Sequence, residues 1–467
     1  MVRFSLNIFY FPFVISILSL GLGSVYLSLI SGVVLPLLSF LIIVVFFGFW
    51  CFGLRFSFIN SFFSFSIMYM GYALGGYYYA FSSGYYGKFI QSSSLTSEQV
   101  QGLLPNVLVG VLIFYIIYCF FYFISGRAFL NNCSVYSKKI TIGVNKNIIN
   151  GVIFLLFFVG FVYWLYVSIT LFGSVKQSIV YFQLFSHFVS EKGLTILPYL
   201  MIYTSVFLYA YKIVIYGEKI SALFVLCLLF SIIVILSTAR IAQAVVFLFS
   251  ILLFLTAFRP RYKKYLILIL VVTFFLIIFV HYARIFSNYY YLGLTLHDVD
   301  FDVFRVVIGG GNVSDLQQLI LVYNSFGEGG YLFGSSYFDW IRNTLGKYFG
   351  IEPSSVGLLI HSEIFPSDTS SGAPTPGAVG ELYANFGFFT FLFAALLGFF
   401  MRKIDTYFYT NKSVFCFLIY CIFVTHFVFL YAKVDSTMIV NFFWSSMPLI
   451  IMFGLLKLLS YLKNDRY

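Results

Sequence analysis

Charge is what this chain has least of. Only 9% of its 467 residues are Asp, Glu, Lys or Arg, while 61% are hydrophobic and 22% aromatic. A soluble domain of that length needs far more polar surface, so a soluble globular protein is excluded. Cysteine is scarce too. Of the six, Cys51, Cys119, Cys227, Cys416 and Cys421 lie in apolar runs and Cys133 in a short polar connection. None falls in the one long polar stretch, so no disulfide framework is expected there. No segment repeats at solenoid periods. The first apolar run, 8–30, is too long for a signal-peptide core and no small-residue cleavage site follows it, so it reads as a retained span.

What the chain does have is apolar runs of about 18 residues or more, repeated along its length, which mark transmembrane helices. Twelve spans are expected: 8–30, 33–52, 58–81, 105–125, 148–171, 194–214, 220–236, 241–257, 265–281, 378–400, 413–432 and 438–456. Residues 220–257 are too long for one crossing of about 30 Å at 1.5 Å per residue. The polar break "STAR" at Ser237–Arg240 therefore reads as a tight turn between two short spans.

With the N-terminus inside, most of the 27 basic residues fall in inward segments and most of the 16 acidic residues in outward ones. Lys/Arg asymmetry sets orientation, so both termini are expected on the cytoplasmic side. The net charge of +11 is then mostly topology and calls for no nucleic-acid partner. The expected class is an all-α integral membrane protein, a polytopic helical bundle of about 12 transmembrane helices with one large, partly helical outward loop. Its segments are 1–281 (nine spans), 282–377 (the loop) and 378–467 (three spans and a cytoplasmic tail).

A loop of about 95 residues with structure of its own is usually functional. "SSYFDWIRNTLGKYFGIEP" reads as a helix: Ser335 or Ser336 can cap it, and Phe338, Ile341, Leu345 and Phe349 recur at helical spacing. Gly350 and Pro353 then stop it. Asp339, Arg342 and Lys347 share the more polar side. Such a helix can lie in the membrane interface or pack on neighbouring spans, and both readings stay open. "NVSDLQQLILVYNSF" is a second helical candidate. Residues 353–376, rich in Ser, Pro, Thr and Gly, read as a mobile lid that also carries His361, Glu363 and Asp368, or as a plain surface loop.

Three arginines stand on the side where positive charge is disfavoured. Arg240 is at the outward turn of the seventh and eighth spans, Arg284 closes the ninth in "HYARIF", and Arg305 lies in "FDVFRVVIGGGN". The planar guanidinium matches phosphate oxygens, so all three are candidates to bind a lipid diphosphate. Equally, each can snorkel to head groups or pair with an acid. Glu381 stands where the loop becomes the tenth span. It is a candidate general base, or a partner of its own helix dipole or of an arginine. "HDVDFD" (His297, Asp298, Asp300, Asp302) has the carboxylate density for a divalent metal, though alternating charge is usually solvated. The glycines of "GGGN" are a weak phosphate cradle.

An arginine in "LSTARIAQA", a second closing the span before one dominant outward loop, and "TPGAVGELYANFGFF" ending that loop resemble the bacterial O-antigen polymerase family, the Wzy-type oligosaccharide repeat-unit polymerases. The resemblance covers roughly 230–400, and "GELYANFG" at Gly380–Gly387 carries most of it. It implies a GT-C-like membrane glycosyltransferase in the bacterial inner membrane, with the large loop periplasmic. Such an enzyme transfers glycan from an undecaprenyl-diphosphate carrier to the non-reducing end of a second lipid-linked repeat unit. It also implies no nucleotide sugar, no metal and no other cofactor, and a separate chain-length-determinant co-polymerase as partner. The implied site residues are Arg240 and Arg284, with Arg305, for the diphosphate, and Glu381, or alternatively His361, as base. The rival readings are an O-antigen ligase, whose outer loop would present a catalytic histidine, and a polysaccharide flippase or transporter.

Overall fold

The computed structural model describes residues 60–70, 95–125, 145–180, 196–238, 241–258, 275, 282, 316–327, 329–352, 354–364, 375–411 and 413–464. Every regular element among them is helical. In chain order the α-helices are α1 Ser61–Met70, α2 Ser97–Ile124, α3 Lys146–Phe172, α4 Val175–Val180, α5 Ile196–Ile215, α6 Ala222–Thr238 and α7 Ile241–Phe258. After them come α8 Leu316–Phe326, α9 Asp339–Phe349, α10 Val356–Ile364, α11 Gly377–Phe386, α12 Thr390–Thr410, α13 Val414–Ile422 and α14 Ile439–Asn464.

Local chemistry sets their ends. Thr96 and Gln99 form a reciprocal capping box before α2, Asn145 caps α3, and Ser413 caps α13. Gly173 closes α3 with φ 75°, a conformation that costs glycine least.

Four of the helical stretches are long and apolar enough to cross a membrane: Lys146–Leu171, Leu197–Ile215, Gly377–Thr410 and Ser436–Tyr461. Shorter apolar helices run over Val109–Tyr122, Ala222–Ile235, Gln243–Phe258 and Val414–Phe429. The chain is a membrane protein. On α3 the residues Phe154, Leu155, Phe158, Tyr166 and Ile169 are all exposed, an apolar outer surface that suits lipid and not water. Helix α6 runs to Thr238 and α7 begins at Ile241; residues 239 and 240 of the expected turn lie outside the described residues. The expected spans 8–30, 33–52 and most of 265–281 lie outside the described residues.

The chain folds as two compact units, each assembled from separate segments. One comprises Met1–Cys133, Val307–Thr410 and Val428–Val440; the other comprises Ser134–Val306, Asn411–Phe427 and Asn441–Tyr467. These boundaries cut across the three consecutive segments expected from sequence.

In the first unit, α12 packs along α2, α1 packs on α12, and α8 packs on α2 and α11. Tyr323 of α8 stands against Gly110 and stacks on Tyr383, while Asp405 meets Tyr122. Chain direction from α11 into α12 therefore runs parallel to α2. The close approach depends on Gly398, where a Cβ would lie 2.3 Å from the Tyr118 carbonyl oxygen. Beside it, Phe62, Phe65, Tyr69, Phe114, Tyr118 and Tyr122 form a buried aromatic cluster. At one end of that cluster Asp405 accepts from the Ser61 amide (3.2 Å), the Ser61 hydroxyl (2.9 Å) and the Tyr122 phenol (2.5 Å).

In the second unit, α5 is the central helix, packed on α3, α6, α7 and α13. Lys146 and Lys212 both reach Glu218, at 2.8 and 3.1 Å, and tie α3 to the end of α5.

Candidate functional site

Helix α11 opens within "TPGAVGELYANFG". Gly377 adopts φ +66°, and its amide donates to the Val434 carbonyl at 2.7 Å. This contact brings the 434–438 turn against the start of the helix. Gly380 lets α8 approach: a Cβ there would lie 2.8 Å from Leu319. Helix α11 ends at Gly387 (φ 53°), and a 3₁₀ turn, Gly387–Phe389, leads into α12. The tenth span, expected as one helix over 378–400, is thus broken at a glycine.

Glu381, one turn into α11, is 1% exposed. Its Oε1 accepts from the Ser336 hydroxyl at 3.0 Å and the Ser436 hydroxyl at 2.5 Å, and its Oε2 from the Ser436 amide at 2.9 Å. Asn385, one turn later, completes the junction. Its amide nitrogen donates to Ser336 Oγ (2.7 Å) and to the Glu381 carbonyl (2.8 Å), and its side-chain oxygen accepts from the Gly334 amide (2.9 Å). The amides of Leu332 and Phe333 donate to the carbonyls of Ala384 and Asn385. Three segments distant in sequence are therefore joined on one carboxylate and one amide: the 332–336 turn of the loop, α11, and the 434–438 turn. Each such hydrogen bond contributes about 0.5–1.5 kcal/mol net.

Two further acids border the junction. Asp339 opens α9 and is buried. Burial pushes its carboxyl above the usual range, against a hydrogen bond from Ser354 and the charge of Arg342. Asp435 is buried as well; its carboxyl is pushed up by burial and by Asp339, against hydrogen bonds from Thr437. Among the described residues, no three His, Cys, Asp or Glu side chains come together to hold a metal ion.

A general base must reach the proton it takes, at about 2.6–3.2 Å. As folded, both Glu381 oxygens are engaged and covered. Its geometry is that of a positioning residue, and it acts on a substrate proton only if the Ser336 or Ser436 donor moves away. His361 sits in the last turn of α10, half-buried. Helix α10 packs on α8, and α8 on α11. Most of the first half of the expected lid is thus an ordinary packed helix, because "VGLLIHSEI" supplies enough apolar residues to seat one. Arg240, Arg284 and Arg305, the "HDVDFD" acids and the "GGGN" glycines lie outside the described residues.

Sequence reasoning missed His426. It is fully buried in the second unit, within a π-helical stretch, Phe423–Phe429. Its Nε2 meets the Tyr203 hydroxyl and its Nδ1 the Thr425 hydroxyl at 3.0 Å. The available signal was a lone ionisable residue in "CIFVTHFVFL", an apolar run where such a group marks function by default.

Comparison with family models, curated proteins and solved structures finds no match to this chain.

Proposed function

We propose that this protein is a GT-C-like, twelve-span glycosyltransferase of the bacterial inner membrane that polymerises lipid-linked oligosaccharide repeat units. The supporting observation is where "GELYANFG" sits. The segment that carries the sequence resemblance is also the hub that fixes the loop to a membrane helix, through Glu381 and Asn385. In this reading the acceptor sugar's hydroxyl attacks the anomeric carbon of the donor. The bond to the diphosphate oxygen breaks, and undecaprenyl diphosphate leaves with the electron pair. Arg240 and Arg284, with Arg305, hold that diphosphate and stabilise its developing charge. Glu381 holds the 332–336 turn of the loop on α11. His361 is left as the candidate to take the acceptor's proton.

Deletion of the gene tests the reading. Lipopolysaccharide carrying a single repeat unit, with no ladder, is the expected phenotype. Bare core would point instead to a ligase or a flippase.

A further inference from the structure

The apolar stripe of α9 faces outward. Phe338 is 67% exposed, Ile341 38%, Leu345 49% and Phe349 74%, so the helix does not spend this face on the protein. Nor is the exposure a sign of a loose helix, because both ends of α9 are fixed. At the start, Asp339 turns inward and is buried, and Ser336 is held by Glu381 and Asn385. At the end, Arg342 Nε donates to the Glu352 carbonyl at 2.9 Å. Asn343 exchanges two bonds of 2.8 Å with the Ser354 backbone.

The stripe also adjoins a lipid-facing surface. Gly334 lies against the Phe386 ring, and Tyr337 stacks on it. Phe386 stacks in turn on Phe393 of α12. Immediately after Phe386, the side chains of Phe388 and Phe389 are exposed, and Leu392, Leu396 and Phe400 continue that exposed face along α12, part of a stretch long and apolar enough to cross a membrane. Phe333, on the loop beside them, is exposed as well.

From this continuity we infer that α9 docks in the interfacial layer of the bilayer, with Phe338, Ile341, Leu345 and Phe349 among the upper acyl chains. Exposed Arg342 flanks the stripe, and its apolar stem can lie along the interface while its guanidinium reaches toward head-group phosphates. This placement goes beyond the reaction proposed above and does not depend on it.

The test uses the full-length chain, one copy per lipid nanodisc. Leu345, and in a second variant Ile341, is replaced by a dansyl-bearing amino acid; Glu352, exposed beyond the helix, serves as control. At 345 and 341, lipids brominated near the head group should quench more than lipids brominated near the chain end, and aqueous iodide should quench little. The Glu352 probe should show the reverse. Iodide quenching at 345 and 341 equal to that at 352 would place the stripe in water and overturn the inference. Protection from both quenchers would mean that another part of the chain covers it. Energy transfer between copies, without lipid quenching, in discs carrying two chains would assign the stripe to a second copy.

Discussion

Replacing Glu381 by Ala or by Gln separates a positioning residue from a base. Alanine removes the acceptor of the Ser436 amide, a backbone donor that cannot turn elsewhere, and leaving it unpaired costs about 1–3 kcal/mol. The Ser336 and Ser436 hydroxyls lose their carboxyl partner but can rotate, and a small cavity adds a further term. A total of about 3–5 kcal/mol is expected, enough to release the 332–336 turn. Glutamine is different. With its oxygen at the Oε2 position it still accepts from the Ser436 amide. Its NH₂ then lies at the Oε1 position, where the two serine hydroxyls can accept instead of donate. The loss is then about 1 kcal/mol or less, because the buried amide keeps an acceptor. Amide hydrogen exchange at 332–338 in the full-length protein reads the local opening. Alanine should accelerate it strongly and glutamine slightly, and Glu381→Gln should keep a lipopolysaccharide ladder. Unchanged exchange in Glu381→Ala would refute the junction. Normal exchange with no ladder in Glu381→Gln would make Glu381 the base and refute its positioning role.

Other outcomes follow from the packing. Gly398→Val drives a side chain into the Tyr118 carbonyl and should lower the thermal stability of the purified protein by about 1–3 kcal/mol; an unchanged Tm would mean that α2 and α12 can separate freely. Tyr203→Phe and His426→Leu should each destabilise. In a double-mutant cycle, losing both should cost less than the sum by about 0.5–3 kcal/mol, since the second change removes a partner already orphaned; strict additivity would deny their bond. The raised carboxyl of Asp339 means that the folded state holds its proton more tightly than the unfolded chain. Its contribution is complete below the unfolded value, about 3.9, and is lost as pH rises through the folded value. Opening of α9, from exchange corrected for intrinsic rates, should therefore become easier from pH 4 to pH 8. That slope should flatten in Asp339→Asn, and an equal slope in both would discard the assignment.

Much of the helical layout was legible because length and punctuation decide it. An apolar run too long for one crossing is expected to divide, and its two parts, α6 and α7, pack against each other. Gly350, at φ +67°, ends α9 where the helical spacing runs out. The junction was not legible. Ser336 and Ser436 lie 45 and 55 residues from Glu381, and nothing local marks a serine as the partner of one acid. Gly387 was hidden inside a run that reads as continuous helix, because glycine is common in membrane helices. Helix α10 was masked by Ser- and Pro-rich neighbours on both sides. His426 carried the intramembrane signal, but its partner Tyr203 comes from another span, 223 residues away.

The reaction itself can be tested with the full-length chain in proteoliposomes supplied with a single undecaprenyl-diphosphate-linked repeat unit. Polymerase activity should yield carriers bearing two or more joined repeats, with one undecaprenyl diphosphate released for each new linkage. The repeat unit left single, but transferred to added lipid A core or only moved across the membrane, would contradict it.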